Sequence, residues 1–198
     1  MIQNRKDRPY GLSVWRAAAV LVTALCFYIQ AGAQDPLVEG RRFAEAGEYG
    51  KAIELYQKLY DQTPSDPEVY RDYLETLLAA KKYKDAEKLV KHQMDISHQH
   101  PVFYIDLGEV YRLAGKGKKA EAQFQAAIDQ VNGDDMLTQQ IARAFVRTGN
   151  DAYTIKTYEH ARSILRNPYM YYAPLARLYA KTGDIEKAVY TLLDGGIG

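Results

Sequence analysis

Three histidines, His92, His98 and His100, fall within the nine residues "HQMDISHQH". Imidazoles this close together are the ligands that copper, nickel or zinc takes, so this stretch is the first place to look for chemistry. A closed site also needs an acid or a fourth histidine at a fixed spacing, and none completes the set, so the segment reads as a solvated loop without metal. "GKGKK", residues 115–119, offers two glycines and three lysines to a phosphate. It lacks the Ser or Thr and the preceding strand of a phosphate-binding loop and reads as a turn. Neither Gly-x-Ser-x-Gly, His-Glu-x-x-His nor a dinucleotide fingerprint occurs, and the carboxylates are too evenly spread to nominate an acid and base pair. The expectation is no catalytic residue, no cofactor and no bound metal.

The elements that must position any site show a fixed interval. Gly47, Lys81, Gly115, Gly149 and Gly183 stand 34 residues apart without a slip. Five positions after each come Ala52, Ala86, Ala120, Thr154 and Ala188, with Thr154 the exception to alanine. Seven positions before stand Gly40, Leu74, Gly108, Ala142 and Ala176, and four before stand Phe43, Leu77, Tyr111, Phe145 and Tyr179. Nine after stand Tyr56, Val90, Phe124, Tyr158 and Leu192. Each unit therefore reads as two amphipathic helices joined at the glycine position, where a chain leaving a helix turns left-handed. Small residues let the two backbones approach and large ones fill the space beside them. Asp35-Pro36 and Asp66-Pro67 put a capping acid before a first-turn proline, and Pro101 stands at the equivalent place in the next unit. Most of the seventeen tyrosines are expected in the core rather than on a binding surface.

This spacing and these residues resemble the tetratricopeptide repeat over residues 33–198, in five units starting near 33, 67, 101, 135 and 169, the last incomplete. The bulky residue near the start of a unit appears as Tyr70, Tyr104 and Tyr172, while Pro36 and Thr138 depart from it. The fourth unit diverges most, with Asp151 where an aromatic belongs and Thr154 where alanine does. The resemblance implies an all-α fold, a right-handed α-solenoid of antiparallel helix pairs, whose first helices line a concave groove that holds an extended or helical peptide. It also implies which positions face inward: Glu68, Arg71, Asp72, Glu75, Val102, Ile105, Asp106, Glu109, Arg112 and Leu113, then Met136, Gln139, Gln140, Arg143, Val146, Arg147, Met170, Arg177 and Lys181. Asp72, Glu75, Asp106 and Glu109 make the first half acidic, and Arg143, Arg147, Arg177 and Lys181 make the second half basic, with Arg112 between them. A peptide with separated charges would then bind in one direction only. The clamp by which the family grips cytosolic chaperone tails needs Lys and Asn where this chain has Leu37, Arg41 and Asp72, so that partner is not expected.

The ends suggest where such a scaffold works. Arg5, Lys6, Arg8 and Arg16 precede an apolar run from Ala17 to Ile29 that is short for a membrane span, and Ala31-Gly32-Ala33 supplies small residues for cleavage. Residues 1–33 are expected to be a secretory signal peptide cut after Ala33, which places the domain 34–198 in the periplasm, or on the outer membrane or cell surface. An uncleaved anchor and lipidation at Cys26, the one cysteine, are the rival readings. Without the leader, 22 basic side chains face 24 acidic ones, a balance that predicts no general attraction to nucleic acid or anionic lipid. The carboxy-terminal "YTLLDGGIG" stops at position 30 of the fifth unit, with glycines in place of a helix end and no polar capping helix after it. The preferred reading is that a longer protein continues beyond Gly198, and the other is that a second subunit covers the last pair. The expected function is a non-enzymatic protein-interaction scaffold of the bacterial cell envelope. The alternative is the amino-terminal docking or sensing region of a larger envelope enzyme or machine.

Overall fold

A carboxylate before a proline starts a helix because it pairs backbone N–H groups that the first turn cannot, while proline brings no N–H of its own. The computed structural model describes residues 35–195, and the leader, its cleavage site and Cys26 lie outside them. Ten helices occupy the described residues: α1 (Pro36–Glu45), α2 (Tyr49–Gln62), α3 (Pro67–Ala79), α4 (Tyr83–Ile96), α5 (Pro101–Leu113), α6 (Gly117–Ile128), α7 (Asp135–Arg147), α8 (Asp151–Leu165), α9 (Tyr172–Thr182) and α10 (Ile185–Gly195). Asp35 accepts from the Leu37 N–H, and Asp66 accepts from those of Glu68 and Val69. Asp134 does the same for Leu137 at the head of α7. The fifth unit starts differently, with Tyr171 in the left-handed region at φ 57° and no side-chain cap.

The chain is an all-α solenoid of antiparallel helix pairs, with no strand among the described residues. Odd-numbered helices are the first of each pair and even-numbered ones the second. α1 packs on α2, α5 on α6 and α9 on α10, and each of α2, α4 and α8 also touches the first helix of the following pair.

The interval of 34 has one geometric cause. Gly47, Lys81, Gly115, Gly149 and Gly183 all hold a positive φ, between 57° and 89°. In each case the next residue's N–H donates back to the carbonyl of Phe43, Leu77, Tyr111, Phe145 or Tyr179, at 2.8–2.9 Å. This satisfies a carbonyl that the helix end would leave bare; the large side chains of Leu77, Tyr111, Phe145 and Tyr179 at that place are buried in the core. Lys81 alone performs the turn with a side chain, and a Cβ there costs about 1 kcal/mol. Lys81→Gly is expected to stabilise the protein by about 0.5 kcal/mol, after allowing for the greater freedom of glycine in the unfolded chain. Urea denaturation checks this, and an unchanged or lower midpoint would mean that the strain is relieved in another way.

The small and large positions compensate each other in volume. A Cβ on Gly40 would lie 2.6 Å from the Tyr56 ring, and one on Gly108 would come closer still to Phe124. Where the second unit has Leu74 at that position, the facing residue shrinks to Val90, and both are buried. Thr154 fits the alanine position because its hydroxyl donates to the Asn150 carbonyl one turn back, so nothing polar is left over in a fully buried site. Tyr56, Tyr60, Tyr70, Tyr73, Tyr111, Tyr158, Tyr171 and Tyr179 are buried. Among the described residues the exposed tyrosines, Tyr169, Tyr172 and Tyr190, all belong to the fifth unit. α10 runs on through Gly195, whose missing Cβ admits the Tyr172 ring, so this glycine serves a close approach and does not replace a helix end.

Candidate functional site

The three histidines are drawn apart by separate structural duties. His92 Nδ1 meets the Tyr60 hydroxyl at 2.9 Å, while that hydroxyl donates to the side-chain carbonyl of Gln93 at 2.8 Å. His100 Nδ1 accepts from the Val102 N–H at 3.4 Å, in the place that an aspartate takes ahead of α1 and α3. His98 sits in the intervening turn at φ 53°. In the "GKGKK" segment Gly115 and Lys116 make the turn between α5 and α6, and Gly117, Lys118 and Lys119 begin α6.

The site that the geometry does offer lies along the first helices. Tyr70 on α3 and Phe103 on α5 meet edge to face at 5.4 Å. A cavity of about 500 Å³ opens between these two helices. Its apolar wall is Leu74, Leu78, Val102 and Phe103, with Arg71, Glu75 and Glu109 also lining it. A pocket of this size, mostly apolar with a few charges, suits an inserted side chain. A shallower hollow beside it is lined by Arg41, Tyr49, Tyr56, Asp72 and Glu75, so Glu75 stands between the two.

Asp106, expected on the lining, is almost wholly buried at 4% exposure. The Tyr70 hydroxyl donates to it at 3.0 Å and the Arg147 guanidinium at 2.5 Å, so one carboxylate ties together side chains from three successive units. Burial pushes its pKa up, against the pull of Arg147 and of the Tyr70 hydrogen bond. Burial together with the adjacent carboxylate drives the Tyr70 hydroxyl well above its ordinary value, so it remains a donor at any physiological pH.

Internal pairing consumes much of the expected charge gradient. Arg41 on α1 bonds Glu68 at 2.9 Å and Asp72 at 2.6 Å. Arg112 folds back on Glu109 one turn earlier with two hydrogen bonds of 2.8 and 2.6 Å. Lys181 reaches Asp151 at 2.8 Å. Ion pairs of this kind on an exposed face blunt its field. Among the described residues Arg71, Glu75, Arg143 and Arg177 are exposed and bond to no other side chain.

Of the apolar residues expected to face inward, Val146 and Met136 are 52% and 71% exposed, whereas Ile105 is in the core. Leu74, Leu78 and Phe103 were not expected to line a site. They line the cavity beside the contact between the Tyr70 and Phe103 rings, Leu74 buried and Leu78 and Phe103 half-buried, and those two bulky residues were the signal that could have shown it.

Comparison with known proteins finds a family match over part of the chain. Residues 43–104 match the tetratricopeptide repeat family. No curated protein matches the chain. Among solved structures, a thermophilic tetratricopeptide-repeat protein of Thermus thermophilus is 18% identical, with 81% of this chain and 88% of that one covered at a TM-score of 0.43. A structure of MamA is 19% identical, with coverages of 79% and 85% and a TM-score of 0.40. MamA from residue 41 onward, of Desulfovibrio magneticus RS-1, is 20% identical, with coverages of 67% and 76% and a TM-score of 0.40. The repeat is in general a module for protein partners.

Proposed function

We infer that this chain of tetratricopeptide repeats is a non-enzymatic scaffold that holds a protein or peptide segment along the face of its first helices, in the bacterial cell envelope. The observation that carries the reading is the cavity between α3 and α5, apolar in its wall and bordered by the exposed Glu75. Buried apolar anchors supply most of the affinity in such contacts, while charges at the rim set orientation and rate of encounter. The segment held would insert an apolar side chain between Leu78 and Val102, with a cation near Glu75 and an acidic stretch toward Arg143 and Arg177. Placement in the envelope rests on the basic and apolar leader and the small residues at Ala31-Gly32-Ala33.

Partner capture in the native cells tests this, by crosslinking the chain in place and identifying its adducts by mass spectrometry. Glu75→Lys, and separately the pair Arg143→Glu and Arg177→Glu, are expected to lower recovery of a defined protein partner by roughly tenfold, with the helical signal unchanged. Arg147 is left intact in this experiment, because removing it would strand the buried carboxylate of Asp106. Equal recovery of the same partner with all three chains would contradict the reading.

A further inference from the structure

Every internal junction of the stack buries the large residue nine places after the turn. Tyr56, Val90, Phe124 and Tyr158 are between 0% and 7% exposed, each packed within the stack, as where Phe124 meets Phe145 at 5.6 Å and Tyr158 meets Tyr171 at 4.9 Å. Leu192 holds the same position on α10 and is 52% exposed. Ile185, Val189, Tyr190 and Leu193, all on α10, are between 50% and 60% exposed. At the opposite end, Leu77, Tyr111, Phe145 and Tyr179 are buried, but their counterpart Phe43 on α1 is only half-buried, with Arg42 and Lys51 near its ring.

These two ends complement each other in detail. At two of the four internal junctions the residue equivalent to Phe43 carries a hydroxyl that an acid receives: Tyr111 donates to Glu87, and Tyr179 to Glu159; at the third, Phe145 has no hydroxyl although Glu121 stands at the Glu87 position. The positions on α10 that correspond to Glu87 and Glu159 are Val189 and Leu193. Phe43 has no hydroxyl to satisfy, and Val189 and Leu193 have no carboxylate to bury. Both halves of the polar pair are therefore replaced together, which removes the penalty of an unpartnered buried group. The first junction follows the same rule, with buried Ile53 and Leu77 at these two places.

We propose that the partner covering α10 is a second copy of this chain, docking the outer face of its α1 on α10 and so continuing the junction that the solenoid repeats internally. Such a contact joins two different surfaces. It therefore leaves one free end of each kind and propagates as an open filament, or closes as a ring if the rotation per copy permits.

Sedimentation of the purified chain tests the proposal. The mass is expected to rise with concentration through dimer and beyond. Leu192→Asp, at an exposed position, is expected to abolish this rise without loss of helix. Phe43→Asp is expected to do the same from the other end, and an equimolar mixture of the two variants is expected to stop at one heterodimer, since one good head meets one good tail. If Phe43→Asp fails to fold, Val189→Glu replaces it as the readout: alone it should weaken assembly at least tenfold, and Phe43→Tyr in the same chain should restore it by rebuilding the Tyr111–Glu87 pair. A wild-type chain that stays monomeric up to about 100 µM, or assembly that survives both Leu192→Asp and Val189→Glu, overturns the proposal.

Discussion

Enlarging Gly108 to leucine and shrinking Phe124 to valine together is expected to cost less than either change alone. A side chain at position 108 meets the Phe124 ring at once, and that ring is buried among Phe145 and Tyr153 with no room to move aside. Gly108→Leu alone should destabilise by about 3 kcal/mol, the upper range for overpacking a tight core. Phe124→Val alone should destabilise by about 3 kcal/mol through the cavity it leaves. The double variant reproduces the Leu74 and Val90 pair of the second unit and should lose less than about 2 kcal/mol where additive losses would come to about 6, a coupling of about 4 kcal/mol that lies above the usual range for residues in direct contact. Urea denaturation of the three variants reads this directly. Additive losses would mean that the two positions do not exchange volume across the helix pair.

The second large effect lies beneath the cavity. Arg147→Met removes the guanidinium that faces Asp106 and leaves a buried carboxylate with only the Tyr70 hydroxyl, at a cost of about 2–3 kcal/mol at neutral pH. Because Arg147 is itself 44% exposed, the loss should fall below that of a fully buried pair. Its pH dependence has a definite sign. Asp106 has a raised folded-state pKa, so its folded form favours the proton, and stability referred to this group falls as pH rises through that value. Without Arg147 the folded value climbs further. The deficit of the variant against wild type should therefore shrink as pH falls from neutrality into the acid range, because a neutral Asp106 needs no cation. Replacing all three members, Tyr70→Phe, Asp106→Leu and Arg147→Met, should recover most of the stability and abolish the pH effect, since no unpaired polar group remains. A deficit independent of pH would show that the loss is one of packing.

The sequence made the turns and core legible because both are enforced once per unit. A left-handed residue and a carbonyl bonded five places back leave the same mark every 34 residues, and five repetitions lift it above local noise; a glycine facing an aromatic adds to it in the first and third units. Contacts between units left no such mark. Arg41 to Asp72, Tyr70 to Asp106 and Asp106 to Arg147 lie 31, 36 and 41 residues apart, and no two of these separations repeat. The charges of the inner face were thus readable one by one, while the pairing that cancels Asp72, Asp106, Glu109, Arg112, Arg147 and Lys181 was not. The cavity was hidden for a related reason. It is lined by residues of α3 and α5 around the contact between Tyr70 and Phe103, which is a property of a pair of units and not of one.

The central claim is that the first-helix face is where this protein holds its partner. Site-specific photocrosslinking from position 102, on the cavity wall, and from position 88, exposed on α4, tests it most directly in the native cells. One protein adduct formed from position 102, absent from position 88 and lost with Glu75→Lys, is the predicted result. Adducts formed equally from both positions, or from position 88 alone, would contradict it.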